Sequence, residues 1–172
     1  MCIRDRIYPE PGLIEHDPEE IWLAAATTLK KVSEQVKEMG HEIVVLTRNS
    51  DSARFRVPVH CEVITWDPCK YHLQSTALKG VDAVINLAGE NIADGRWSPE
   101  RKRELIQSRE LSVRRLVNAM TYMDKKPKTL VSVSAIGFYG DRGDVILNET
   151  DLKGHGFLSD VCKVWEEEIL KA

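Results

Sequence analysis

VDAVINLAGENIADGRWSPERKRELIQSR (81–109) is the stretch on which the fold turns, because it carries a strand, a turn and a helix start in one run. Ala83–Leu87 (AVINL) is short, apolar and β-branched, as expected of a strand buried in a sheet, and Ala88-Gly89 ends it. Ser98-Pro99-Glu100 then opens a helix. Serine is a good N-cap, proline is tolerated in the first turn, and a carboxylate there meets the positive end of the helix dipole. Leu105, Leu111, Val113, Leu116, Val117 and Met120 supply a buried side as far as about Met123.

Outward from this stretch the same alternation repeats. His41–Arg48 (HEIVVLTR), Cys61–Trp66 and Leu130–Ser134 read as further strands. A helix is expected from about residue 18 to 39, opened by Asp17-Pro18 and closed by Gly40. Asp141–His155 reads as a polar loop, and Phe157–Lys171 as a last helix with Val161, Val164, Trp165, Ile169 and Leu170 inward. Apolar strands separated by helices indicate an α/β fold with a Rossmann-like parallel sheet and helices on both faces. In such sheets ligands bind beyond the carboxyl ends of the strands.

Bulk properties narrow the function. The chain has 172 residues, of which 42% are hydrophobic and 30% charged, an ordinary globular composition. A formal net charge of −3 lacks the basic surplus of nucleic-acid binders. No apolar run approaches the ~20 residues of a membrane span, and Met1–Gly12 has no apolar signal-peptide core. A cytoplasmic chain with no nucleic-acid or membrane partner is therefore expected. Cys2, Cys61, Cys69 and Cys162 form no C-x-x-C pair, so reduced thiols and no metal site are expected.

The strand ends hold the candidate site residues. Arg48 follows the HEIVVLT run, where a guanidinium can pair with an adenosine 2′-phosphate or simply be a solvated loop cation. Asn86, Leu87, Ala88 and Gly89 form a turn small enough for a cofactor to approach the main chain. Ser134 and Tyr139 follow the last strand, where a hydroxyl can donate to a substrate carbonyl or act as an acid, or belong to an ordinary turn. Arg96 and Ser108-Arg109 read either as an anion clamp or as a solvated helix face.

From about residue 36 the chain resembles an epimerase-like, cell-division-inhibitor-like branch of the extended short-chain dehydrogenase/reductases. The resemblance rests on GHEIVVLTRN (40–49), the 81–109 stretch, SVSAIGFYGDRG (132–143) and FLSDVCKVWEEE (157–168). It implies a Rossmann domain that binds NADP and acts on a small molecule. Two departures stand out. The wider superfamily uses Tyr-x-x-x-Lys, whereas Leu158 and Cys162 occupy those places here, leaving Ser134 and Tyr139 as candidate acids. The family's first strand and glycine-rich turn are replaced by IYPEPGLIEHDPEEIWLAAATTLKKVSEQ (7–35), which resembles an early segment of glycerol kinase and related sugar kinases. Glu15, Asp17, Glu19 and Glu20 crowd the place where that turn would hold a pyrophosphate.

The expectation is a chimera: a kinase-like segment over 1–35, and a truncated NAD(P)-binding domain over 36–172 that binds its dinucleotide weakly and has lost activity. A sugar-kinase fragment and a non-catalytic nucleotide-binding or interaction module are the alternatives.

Overall fold

The computed structural model describes residues 27, 31–32, 34–56 and 61–172, so most of the expected 18–39 helix and the whole 7–26 stretch lie outside the described residues. Two compact units meet in sequence between Trp66 and Asp67.

In the first unit the described helical residues 34–38 end as Gly40 predicts. Gly40 has a φ of 82°, its N–H donates to Lys37 O at 2.8 Å, and His41 N–H donates to Val36 O at 3.1 Å. These paired bonds are a Schellman stop, and the positive φ is why glycine stands there. Strand β1 (Val44–Thr47) pairs in parallel with β2 (Glu62–Thr65), Val45 opposite Val63 and Leu46 opposite Ile64. Between them lies helix α1 (Ser50–Arg56), which has no apolar periodicity to announce it in the sequence. Asn49 caps it, its side-chain Oδ1 accepting from Ser52 N–H at 2.9 Å.

The second unit contains β3 (Ala83–Asn86), α2 (Pro99–Thr121), β4 (Thr129–Ser132) and α3 (Phe157–Ile169). Strands β3 and β4 are parallel, with Val84 opposite Leu130 and Asn86 opposite Ser132. Each strand is shorter than its apolar run, but the parallel pairing is the expected one. The cap of α2 is also as expected: Ser98 Oγ accepts from Arg101 N–H at 3.2 Å and Pro99 opens the first turn.

The core forms where Val113 and Val117 of α2 meet Trp165 of α3, with Leu130 and Ile169 packed against them. Val84 and Asn86 are the buried residues of β3, whereas Ile85 and Val131 are 68% and 49% exposed. Leu170, expected inward, is instead 83% exposed, because α3 ends at Ile169 and Leu170 has become its C-cap.

A buried carboxylate locks α2 to α3. Glu168 accepts from Arg114 Nη2 at 2.8 Å and Nε at 3.2 Å, and from Lys171 Nζ at 2.6 Å. The Arg114 hydrogen bond holds the Glu168 carboxyl below its ordinary range, with Lys171 adding to the effect. A depressed folded-state pKa contributes stability above the unfolded value and loses it as pH falls through the folded value. Glu168→Gln should therefore cost about 1–3 kcal/mol at pH 7, and the cost should shrink as pH falls through the acid range below ~4. Urea denaturation of both proteins at pH 7 and pH 3.5 checks this; a cost that does not change with pH would sink it.

Candidate functional site

The turn after β3 is built inward from its own residues. Asn86 is 3% exposed, and its amide Nδ2 donates to Ser132 Oγ of β4 at 3.1 Å. The same side chain turns back on the chain, Oδ1 accepting from Ala88 N–H at 3.3 Å. The small side chains expected to let a ligand approach are thus fixed by an asparagine that bridges strand and turn. Leu87 points away and is 69% exposed.

Helix α2 holds the next residues. Glu90 N–H donates to Ser108 Oγ at 3.1 Å, and Glu90 O accepts from Arg109 Nη2 at 3.0 Å. Ser108 Oγ in turn donates to Leu105 O at 3.1 Å, as does Arg109 Nη1 at 3.1 Å. Arg109 is buried, and its guanidinium carbon lies 5.2 Å from the centre of the Trp165 ring, within cation–π range. Burial lowers its proton affinity, but an arginine keeps its charge in proteins. The solvated helix face is therefore not where Ser108-Arg109 lie. Their spacing from Leu105 and to Ser112 places all four on the buried side of α2, a pattern present in the sequence and obscured by the polarity of the residues.

A second cluster follows β4. Ser134 is exposed, and its hydroxyl donates to the Glu166 carboxylate of α3. Beside it Cys162 is buried, with its thiol directed to Ala135 O at 3.7 Å. Burial pushes the Cys162 thiol up, and the Glu166 carboxylate pushes it further the same way. The structure thus adds Glu166 to the candidate site, a residue that sequence reasoning passed over because glutamate on a helix is ordinarily solvated. Tyr139 sits in a 3-10 turn (Ile136–Tyr139) with its ring edge-on to Phe138 at 5.3 Å. Among the described residues no hydrogen bond joins Tyr139 to Ser134, so the two expected acids are not one unit.

Arg48 belongs to the first unit. It is an exposed residue between the end of β1 and the Asn49 cap of α1.

This arrangement of parallel strands and helices is shared with a known group. Residues 30–157 match the NAD dependent epimerase/dehydratase family. The chain belongs to that family. An epimerase family protein of Mycobacterium leprae is 36% identical over 117 residues, which are 68% of this chain and 38% of that protein. A chloroplastic homolog of epimerase family protein SDR39U1 from Arabidopsis thaliana is 32% identical over 152 residues, covering 83% of this chain and 41% of that one. Among solved structures, human epimerase family protein SDR39U1 with NADPH superposes with a TM-score of 0.62 at 26% identity, covering 80% of this chain and 43% of that one. A nucleoside-diphosphate sugar epimerase from Corynebacterium glutamicum gives a TM-score of 0.54 at 29% identity, covering 87% and 33%. The chain thus spans about two fifths of the length of the curated relatives it matches. For this family member the turn at 86–89 is compatible with a dinucleotide. It carries small residues at Ala88 and Gly89, and its polar side chain is tied back toward β4.

Proposed function

We propose that residues 36–172 are the NAD(P)-binding part of an epimerase- or reductase-type enzyme, in which the dinucleotide lies along the Asn86–Gly89 turn. The observation that carries this reading is that the turn is tethered at both ends, at Asn86 by Ser132 of β4 and at the adjoining Glu90 by Ser108 and Arg109 of α2. Preorganised main chain costs little to order when a ligand arrives. The human relative solved with NADPH supports the cofactor class. Ser134, exposed and hydrogen-bonded to Glu166, is the proposed hydroxyl that meets a substrate oxygen, with Tyr139 the second candidate acid.

The reading also holds that this chain by itself binds the dinucleotide weakly and turns over no substrate. Residues 1–35 are proposed to be a separate, kinase-like segment. The family match begins at residue 30, which leaves most of that segment outside it and supports the division. Within this sequence no glycine-rich turn precedes residue 36, and Glu15, Asp17, Glu19 and Glu20 oppose a pyrophosphate by charge. Phosphotransfer has only the resemblance of residues 7–35 behind it and is not proposed.

Arg48 is proposed to favour NADP over NAD, because a guanidinium after this strand can meet a 2′-phosphate. Calorimetric titration of the chain with each cofactor is the test. The expected result is NADP binding in the ~mM range, with NAD about 5- to 10-fold weaker and the difference lost in Arg48→Ala. Micromolar affinity, or cofactor surviving purification, would overturn the weak-binding reading. Equal or stronger NAD binding would overturn the role of Arg48.

A further inference from the structure

Gly89 follows a strand and precedes a crossover, a place where glycine is usually explained by a positive φ. That explanation fails here, since Gly89 is not among the glycines with positive φ. Space decides instead. A Cβ on Gly89 would lie 3.0 Å from Cζ, 3.1 Å from Nη2 and 3.2 Å from Nε of Arg109, so three atoms of one planar group stand against it. The end of a long side chain would normally swing aside. Arg109 cannot do so cheaply. Nη1 donates to Leu105 O, Nη2 donates to Glu90 O, and the Trp165 ring lies at cation–π distance. Giving way by the few tenths of an ångström that a methyl at 89 needs would strain the bonds to Glu90 and Leu105.

The burial of this cation also calls for a reason. Arg109 is 7% exposed, and its hydrogen bonds run to carbonyl oxygens and, at 3.5 Å, to the Ser108 hydroxyl. A leucine would fill such a helix position without the cost of desolvating a charge. What leucine cannot do is donate in two directions from a rigid fork. Arg109 uses that fork to join its own helix at Leu105 to the turn at Glu90, while Ser108 holds the N–H of the same Glu90.

We propose that Arg109 is a positioning residue for the 86–90 turn: the buried guanidinium beneath Gly89 sets the path of the main chain there, and the need for glycine at 89 comes from that guanidinium. That the positioned turn serves a dinucleotide rests on the function proposed above.

A double-mutant cycle tests this in the ligand-free chain and again with NADP. The proteins are the native sequence, Gly89→Ala, Arg109→Lys and the double variant, with Arg109→Ala and its double as a second arm. Lysine keeps the charge and replaces the planar fork by a thinner ammonium stem, so a methyl at 89 gains room. The first readout is amide hydrogen exchange at Glu90, whose N–H is bonded to Ser108. Gly89→Ala should speed that exchange by about 10-fold or more in the native background and by under ~2-fold in either Arg109 background. A merely structural arginine would give equal effects of Gly89→Ala in every background, and that additive result would overturn the proposal. So would Gly89→Ala leaving Glu90 exchange unchanged.

The second readout is NADP titration. Loss of NADP affinity in Gly89→Ala, together with the non-additive exchange, supports both the positioning role and the site. Non-additive exchange with unaltered NADP affinity overturns the assignment of this turn to the dinucleotide, while the coupling of Arg109 to Gly89 stands.

Discussion

Gly154→Ala is expected to destabilise the chain by at least ~3 kcal/mol, at the upper end of overpacking penalties or beyond. A Cβ at 154 would lie 1.9 Å from the Tyr139 carbonyl oxygen, 2.4 Å from its carbon and 2.8 Å from Gly140 N. All three are main-chain atoms, so no side-chain rotation relieves the contact. The two strands of chain meet this closely because Gly154 N–H donates to Phe138 O at 2.9 Å. Ser159, fully buried, closes the junction from α3, with its hydroxyl 2.7 Å from Phe138 O and 2.9 Å from Gly154 O. Opening this crossing to admit a methyl would break those bonds and release the 3-10 turn that carries Tyr139. Urea denaturation of the variant is the measurement. A loss of under ~1 kcal/mol would show that residues 138–140 and 154 do not cross so closely.

That crossing marks where reading the sequence stops working. Local chemistry was legible: Ser98-Pro99 starts α2, Gly40 ends a helix in a Schellman stop, and the apolar runs at 44–47 and 83–86 are strands with parallel partners. Each of these depends on residues within a turn or two of one another. Helix α1 escaped notice because SDSARFR has no apolar stripe, although Asn49 was available as its cap. Gly154 reads in the sequence as one of two glycines in a polar loop, since the need for it comes from a carbonyl fifteen positions earlier. The site shows the same division. Asn86 and Ser134 lie at the strand ends where chemistry was expected, but their partners Ser132 and Glu166, and Arg109 that holds the adjoining Glu90, come from other elements. Arg109 is the sharpest case, because a charged residue reads as solvated until the structure shows the carbonyls and the indole that surround it.

Cys162 is expected to react with iodoacetamide at pH 8 at least ~100-fold more slowly than Cys69, because labelling it requires opening a packed helix at a cost of ~3 kcal/mol or more. Cys69 is exposed, whereas Cys162 is 3% exposed on the inner side of α3. Burial raises the Cys162 thiol above its ordinary range and Glu166 raises it further; the contact with Ala135, then Arg109 and Ser134, pull the other way. A raised thiol pKa means less thiolate, the reactive form, so protonation slows the reaction in addition to burial. Glu166→Gln removes one of the two raising causes and should speed labelling of Cys162, but only slightly, since burial is the larger cause. The outcome bears on function because Cys162 stands where the wider superfamily resembled by this chain has a lysine whose charge makes a neighbouring tyrosine more acidic. A neutral, inaccessible thiol supplies no such charge, and Leu158, in the tyrosine's place, has no proton to give. Mass spectrometry of the alkylated peptides over time gives both rates. Labelling of Cys162 at the rate of Cys69 would show an open, ionising thiol, and the proton donor proposed at Ser134 would then have a competitor in Cys162.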